Sequence, residues 1–306
     1  MATAPARPLT HAATLAHFLP PNVGLVGCEV GAGGKPLPGL VPSAIQVDCF
    51  KSFGPDTCTA DYYGHACALP FLDHALDYVL ASHVLEHVAN PVAALAEWYR
   101  VVRPGGIIYL IVPNRRAAWD RTRELTTVEH LLEDYVRGTT ALDPTHVDEF
   151  AANVDLEFFG PDLAPEDIAA RRVELARGLH HAIERGEDIN IHFHTFEPAN
   201  VRELLETLAR PALPAGSNPD SVTEPNLPAR PLPRLHWELL ELIDGFPAAS
   251  PNGVLAILRV HKGWRARADA AALLLRSQGD FRALLQPGAE PFADWAARTP
   301  GLGGVR

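Results

Sequence analysis

Basic charge, paired cysteines and long apolar runs are what this chain of 306 residues has least of. Lysine and arginine total 26 against 37 aspartates and glutamates, a formal net charge of −11. That balance argues against a nucleic-acid partner, which calls for a basic face. Cys28, Cys49, Cys58 and Cys67 form no C-x-x-C pair and read as scattered thiols without structural disulfides. No segment approaches the roughly 20 apolar residues that a membrane helix needs. The N-terminal stretch lacks the long apolar centre of a secretory signal. The expectation is a soluble cytoplasmic protein with no membrane and no nucleic acid among its partners; oligomeric state has no signature here.

What the chain does have is an ordinary globular balance, 47% hydrophobic and 21% charged, together with an unusual 14 histidines. Residues 1–22 form a short lead-in. Apolar runs at Val23–Val30, Ala44–Val47, Leu76–Ala81 and Ile107–Val112 then alternate with helix-like segments across residues 23–113, the pattern of a parallel α/β sheet. In "NPVAALAEWYRVVRPGG", Asn90 caps a helix, Pro91 suits its first turn, and Val92, Leu95, Tyr99 and Val102 line one face. Pro104-Gly105-Gly106 stops that helix.

Residues 114–195 break the alternation and read as a helical insertion. Thr126 and Glu129 form a capping box for a helix whose apolar face is Val128, Leu131, Leu132 and Tyr135, with Gly138 as its stop. A second helix spans Pro165 to about Arg185. Residues 196–262 return to the core through an amphipathic helix, a proline-rich loop at 210–234 and an edge hairpin of "LHWELLELI" and "GVLAILRV". Residues 263–306 hold a helix near Ala270–Leu285 and a tail.

The stretch "GCEVGAGGKPLPG" sets glycines after the first strand, where backbone can approach a ligand closely. A dinucleotide fingerprint needs G-x-G-x-x-G; Gly31 and Gly33 fit, but the third position is Pro36. Pyrophosphate also wants a helix N-terminus, which the prolines disfavour. NAD and FAD are therefore disfavoured, whereas a cofactor without phosphates, such as S-adenosylmethionine (SAM), dispenses with that helix.

Glu29-Val30-Gly31-Ala32-Gly33 resembles the first motif of class I SAM-dependent methyltransferases. Asp48, 17 residues after Gly31, stands where that family has the acidic residue for the ribose hydroxyls. "ALPFLDHALDYVLASHVLEHVANPVAALAEWYRVVRPGGIIYLIVPN" is similar, element by element, to the small-molecule branch called type 11. The resemblance covers about Val23 to Asn114. It implies a Rossmann-like seven-stranded, mostly parallel sheet with an antiparallel edge hairpin and a helical insertion capping the active site. It also implies SAM as cofactor, S-adenosylhomocysteine as product, and cofactor contacts at Glu29, Gly31, Gly33, Asp48, His65, Ser82 and His83. His65 replaces the family's usual acidic residue against the adenine amino group, so that contact falls to His65, Asp61 or backbone.

The stretch Asp120, Arg121, Arg123, Thr126 or Thr127, His130, Asp134 and Tyr135 resembles a bacterial subgroup associated with glycan or natural-product pathways, with one extra residue before the histidine. His130 and Asp134 lie four apart on one helix face, a carboxylate beside an imidazole of the kind a general base requires. In "NIHFHTF", the alternation of a strand puts His192 and His194 on one face. Catalytic duty is expected of His130, His194 and Asp134, and acceptor contact of Arg121, Arg123, His146 and His192. His83 is expected near the methyl donor and His87 as structural. No metal is expected; were one bound, His130, Asp134, His192 and His194 would hold it.

The function that follows is methyl transfer to an oxygen, or a nitrogen, of a small polar acceptor such as a sugar or natural-product intermediate. "SHVL" in place of an N-P-P-Y type loop disfavours amino-directed DNA and glutamine methylation. The alternatives are a SAM-using enzyme of other or metal-assisted chemistry, and a SAM-binding scaffold without turnover.

Overall fold

The computed structural model describes residues 10–19, 24–37, 44–53, 56–158, 164–209, 231–277 and 280–299. The chain opens with α1 (His11–Phe18), β1 (Gly27–Val30) and β2 (Ile45–Asp48). A small ribbon, β3 (Ser52–Phe53) and β4 (Asp56–Thr57), precedes β5 (Tyr62–Tyr63), β6 (Leu76–Ser82), α2 (Pro91–Val101) and β7 (Val102–Pro113). Then come α3 (Val128–Arg137), α4 (Val147–Asn153), α5 (Pro165–Glu184) and α6 (Pro198–Ala209). The chain closes with β8 (Trp237–Phe246), β9 (Gly253–Val260), α7 (Trp264–Ser277) and α8 (Phe292–Arg298).

Seven strands form one sheet in the order β5-β2-β1-β6-β7-β9-β8. β5, β2, β1, β6 and β7 are parallel, and β9 runs antiparallel to both β7 and β8. This is the Rossmann-like sheet with an antiparallel edge hairpin that the sequence implies. Strand order reverses between β1 and β6, and such a switch point opens a crevice at the carboxyl ends of the strands.

β6 and β7 are apolar on both faces because both faces are covered. On one side Val79, Ala81, Ile108 and Leu110 pack with Leu95 and Trp98 of α2, Leu131 and Tyr135 of α3, and Leu204 and Leu205 of α6. On the other, Tyr78, Leu80, Tyr109 and Ile257 pack with Leu15 of α1. A third cluster joins Val147, Leu179, Ile191 and Phe193 to Ala89. α3 thus rests on the sheet's own core, while α4 and α5 build a separate small one. The β5 edge is covered by the C-terminal segment: Tyr62 bridges Pro291, and the Tyr63 ring stacks on Trp295 at 4.5 Å.

Several local expectations are corrected. Asn90 caps α2, and Val92, Leu95 and Val102 are buried with half-buried Tyr99 packed against the same core, but Trp98 and Val101 are buried as well, and the Tyr99 hydroxyl reaches the His261 carbonyl at 2.8 Å. Val102 already opens β7, so Pro104-Gly105-Gly106 lies inside a strand. The cap of α3 is Thr127, which accepts from the His130 N–H at 3.2 Å; Thr126 is engaged with Thr195 instead. "NIHFHTF" makes only the single bridge Asn114–Phe196, so its histidines do not share a strand face. The last long helix is Trp264–Ser277, earlier in the chain than expected. Most of the proline-rich loop, 210–230, lies outside the described residues, as do 1–9 of the lead-in.

Asn90 also ties two helices together. Its Oδ1 accepts from Ala93 N–H at 3.0 Å and its Nδ2 donates to the Asp134 carbonyl at 3.0 Å. Replacing Asn90 with Ala removes a cap and a buried inter-helix bond, so urea unfolding should show a loss of about 2 kcal/mol. A loss below about 0.5 kcal/mol would show that the link contributes little to stability.

Candidate active site

The crevice begins where β1 ends. Gly31 has φ +67°, and a Cβ there would stand 2.6 Å from a methyl carbon of Val84, so the position takes glycine for both reasons. Its N–H donates to the Val47 carbonyl at 2.8 Å, pinning the turn to β2. Gly33, at φ +60°, donates its N–H to Asp48 Oδ2 at 3.1 Å, while Phe50 N–H donates to Asp48 Oδ1 at 2.9 Å. The glycine turn and the acidic end of β2 are therefore one hydrogen-bonded unit. No helix follows the turn among the described residues, in keeping with the prolines.

These elements enclose a cavity of about 350 Å³. Gly31, Ala32 and Gly33 form one wall, with Asp48, Cys49 and Phe50 beyond the end of β2. His65, Ala66, Ser82, His83, Val84, His87 and Val88 stand further round, the Lys35–Asp56 ion pair and Cys58 also line it, and Asn190 reaches in from the insertion. Glu29 stands behind the wall: it is 3% exposed and its Oε1 accepts from Leu37 N–H at 2.9 Å, fastening the loop after the turn.

Charge in the cavity is set by burial. Burial raises the Asp48 carboxyl, while N–H groups of Phe50, Gly33 and Cys49 oppose that rise. Burial lowers His65, with Asp188 opposing, and its Nδ1 accepts from Cys67 N–H at 3.2 Å. That acceptance makes Nε2 the protonated nitrogen, so His65 offers a donor where a carboxylate would offer an acceptor. Burial pushes Cys58 up to about 11 and raises Cys49 as well, so both thiols stay neutral and unreactive.

The opposite wall carries an acid–base group. His83 sits at φ +56°, a conformation that costs about 1 kcal/mol outside glycine. Its Nδ1 lies 3.5 Å from Oε1 of Glu86, a fully buried carboxylate. Burial works against the charged imidazole, but the Glu86 carboxylate beside it outweighs burial and raises His83. Burial likewise opposes ionised Glu86, yet His83, His87 and His192 together hold its carboxyl below its ordinary value. His87 is the reverse case: burial pushes it down to about 4, against the pull of Glu86, and its Nδ1 bonds the Ile191 carbonyl at 3.1 Å.

The other expected residues lie elsewhere. His130, Asp134, His146 and His194 converge on one another, and none of them is in the cavity wall. His192 separates from His194 and bonds Asp120 through Nδ1 at 2.5 Å. Arg123 is 2% exposed, and its guanidinium is taken up by Asp120, Glu149 and the carbonyls of His192 and Phe193. It fastens the insertion and has no donor left to grip an acceptor, which corrects that expectation. Arg121, half-exposed, pairs with the buried Asp155. Sequence reasoning missed Cys49, Phe50, Glu86 and Asn190; Glu86 had a signal, the "LEH" that follows His83.

Residues 28–110 match the family described as Methyltransferase domain. This segment is a methyltransferase domain. Its sequence relatives include a probable S-adenosylmethionine-dependent methyltransferase of Mycolicibacterium smegmatis, 36% identical over 17% of this chain and 21% of that one. A methyltransferase of Mycobacterium avium is 51% identical over 14% of this chain and 17% of that one. The match thus spans about a fifth of these relatives. Among solved structures, the CurJ carbon methyltransferase gives a TM-score of 0.39 at 14% identity, over 82% of this chain and 52% of that one. A SAM-dependent methyltransferase from Thermotoga maritima gives 0.39 at 14% identity, over 83% and 89%. Likeness at that score fixes neither substrate nor chemistry.

SAM is the cofactor of this family, and the methyltransferase domain has residues that fit it. Gly31 and Gly33 present backbone to the cavity, the space beside Gly33 is open, and the Asp48 carboxylate lies in the same cavity. Gly31→Ala should abolish cofactor binding by overlapping Val84; retained binding in equilibrium dialysis would contradict the close approach. A second outcome concerns pH. The folded state holds His87 neutral to about 4, whereas an unfolded imidazole takes its proton near 6.5. Its contribution is intact above about pH 6.5 and is lost as pH falls toward about 4, by roughly 3 kcal/mol. Urea midpoints from pH 7.5 to 4.5 should fall less steeply in H87Q; an unchanged slope would contradict the burial argument.

Proposed function

We propose that the chain is a SAM-dependent methyltransferase acting on an oxygen or nitrogen of a small polar acceptor, such as a sugar or natural-product intermediate. The observation that carries this reading is the cavity itself, with Gly31 and Asp48 on one wall and the His83–Glu86 pair on the other. When bound, SAM supplies an electrophilic methyl carbon on a sulfonium.

The chain's own residues do the rest. Asp48 accepts from the ribose hydroxyls with the lone pairs that Gly33 and Phe50 leave free. His65 turns its Nε2–H toward the adenine. His83 takes the acceptor's proton, and Glu86 orients the ring and stabilises the imidazolium. Asn190 meets the acceptor from the insertion side. His130, His194 and Asp134 have no part in this step, because they do not border the cavity.

The division of roles is testable. Asp48→Ala should weaken S-adenosylhomocysteine binding at least about tenfold by calorimetry, whereas His83→Ala should spare binding and lower kcat about a hundredfold. Because His83 is raised, turnover should climb with pH through an inflection above the ordinary imidazole value. Equal loss of binding in both variants would remove His83 from proton transfer. Absence of SAM binding by the unaltered chain would remove the methyltransferase reading.

A further inference from the structure

The insertion carries a side-chain constellation that the methyl-transfer reading does not use. His130 and Asp134 stand one turn apart on α3, His146 immediately precedes α4, and His194 lies in the segment that follows α5. Nε2 of His130, His146 and His194 lies 3.4, 3.3 and 3.6 Å from the same atom, Asp134 Oδ2. One ligand atom from each of the four residues falls within 4.8 Å of every other. Asp134, His146 and His194 are 2%, 4% and 0% exposed.

Hydrogen bonds account for only part of this arrangement: His146 Nε2 lies 3.4 Å from Asp134 Oδ1, and His194 Nε2 lies 3.3 Å from the Ala89 carbonyl. Charge-assisted N–H···O bonds run at about 2.7–2.9 Å, and Oδ2 of Asp134 is buried with no hydrogen-bond partner among the described residues. A buried carboxylate oxygen left so is costly. The three distances to Oδ2 match edges of a tetrahedron around a shared ion, about 3.3 Å for ligand bonds of about 2.0–2.1 Å, and the remaining pairs lie within 4.8 Å. Oδ1 accepts from the Thr139 hydroxyl at 2.9 Å, as an outer partner of a ligating carboxylate does, and lies 3.4 Å from His146 Nε2.

We propose that His130, Asp134, His146 and His194 bind one zinc-class divalent cation in a four-coordinate site. Three imidazoles and one carboxylate are ordinary zinc ligands, and four protein ligands make a closed, structural centre rather than one that activates water. The ring of His130 is 41% exposed and gives the ion its way in. The ion joins α3 to the segments before α4 and after α5. The same Nε2 of His194 lies 3.3 Å from the Ala89 carbonyl, next to Val88 of the cavity wall, so taking up the ion exchanges that hydrogen bond for a metal bond beside the wall.

The test uses the untagged full chain, stripped with a chelator, reloaded with zinc and passed over a sizing column. One zinc per chain should remain, Tm should rise on reloading, and cobalt(II) in its place should show the intense visible bands of a four-coordinate ion. H130A, the change least disruptive to packing, should still fold and lose at least about tenfold in zinc affinity, and D134N should lose stoichiometric zinc. H192A should retain it. Failure to hold zinc, equal retention by H130A and D134N, or loss in H192A but not H130A would each overturn the assignment. The last result would place the ion at Glu86, His87 and His192. None of these readouts depends on methyl transfer, so the cofactor reading stands or falls separately.

Discussion

Where β1 ends, the backbone passes so close to Val84 that a single added carbon on Gly31 would overlap it, and the cavity depends on that closeness. Gly31 is bonded to β2 through Val47, and Gly33 to Asp48, so the glycine turn and the acidic strand end hold each other in place. Val84 in turn belongs to the segment that carries Ser82, His83 and Glu86. The ends of three strands are thereby brought onto one cavity by close contacts of the glycine backbone with Val47, Asp48 and Val84. A site built this way asks for glycine and small residues at its floor and leaves its chemistry to the few side chains at its rim.

The insertion is fastened by polar groups as well as by apolar packing. Arg123, buried beneath it, saturates its donors on Asp120, Glu149 and two carbonyls of the 192–193 segment. Asn90 links α2 to the far end of α3. Two histidine groups then separate. His83 and His87, with Glu86 and His192 against them, belong to the cavity side, where among its described residues the insertion shows only Asn190. The cluster around Asp134 lies behind Ala89, away from it.

Much of the sheet was legible because its signals are local. A strand buried on both faces announces itself in a run such as Ile107–Val112, and the ordered set from Glu29 to Pro113 lies in one continuous segment. Gly31, Gly33, Asp48 and Ser82 follow from that segment, since each is a strand end or a turn. The insertion was less legible because its contacts are between distant residues. His192 and His194 looked equivalent by spacing, yet without a partner strand nothing enforces alternation, and the two rings join different clusters. Thr126 looked like the cap by the capping-box rule, but Thr195, 69 residues away, claims it and leaves Thr127 to the helix. Arg123 read as a surface grip because burial of a cation by remote carboxylates has no sequence signature.

The central claim is that the cofactor lies in the crevice between Gly31, Asp48 and His83. The most direct measurement is a crystal structure of the chain with S-adenosylhomocysteine. The account predicts the ribose hydroxyls on Asp48, the adenine beside His65 and the sulfur facing His83. Ligand density elsewhere, or a crevice that excludes S-adenosylhomocysteine but takes a nicotinamide dinucleotide, would contradict it.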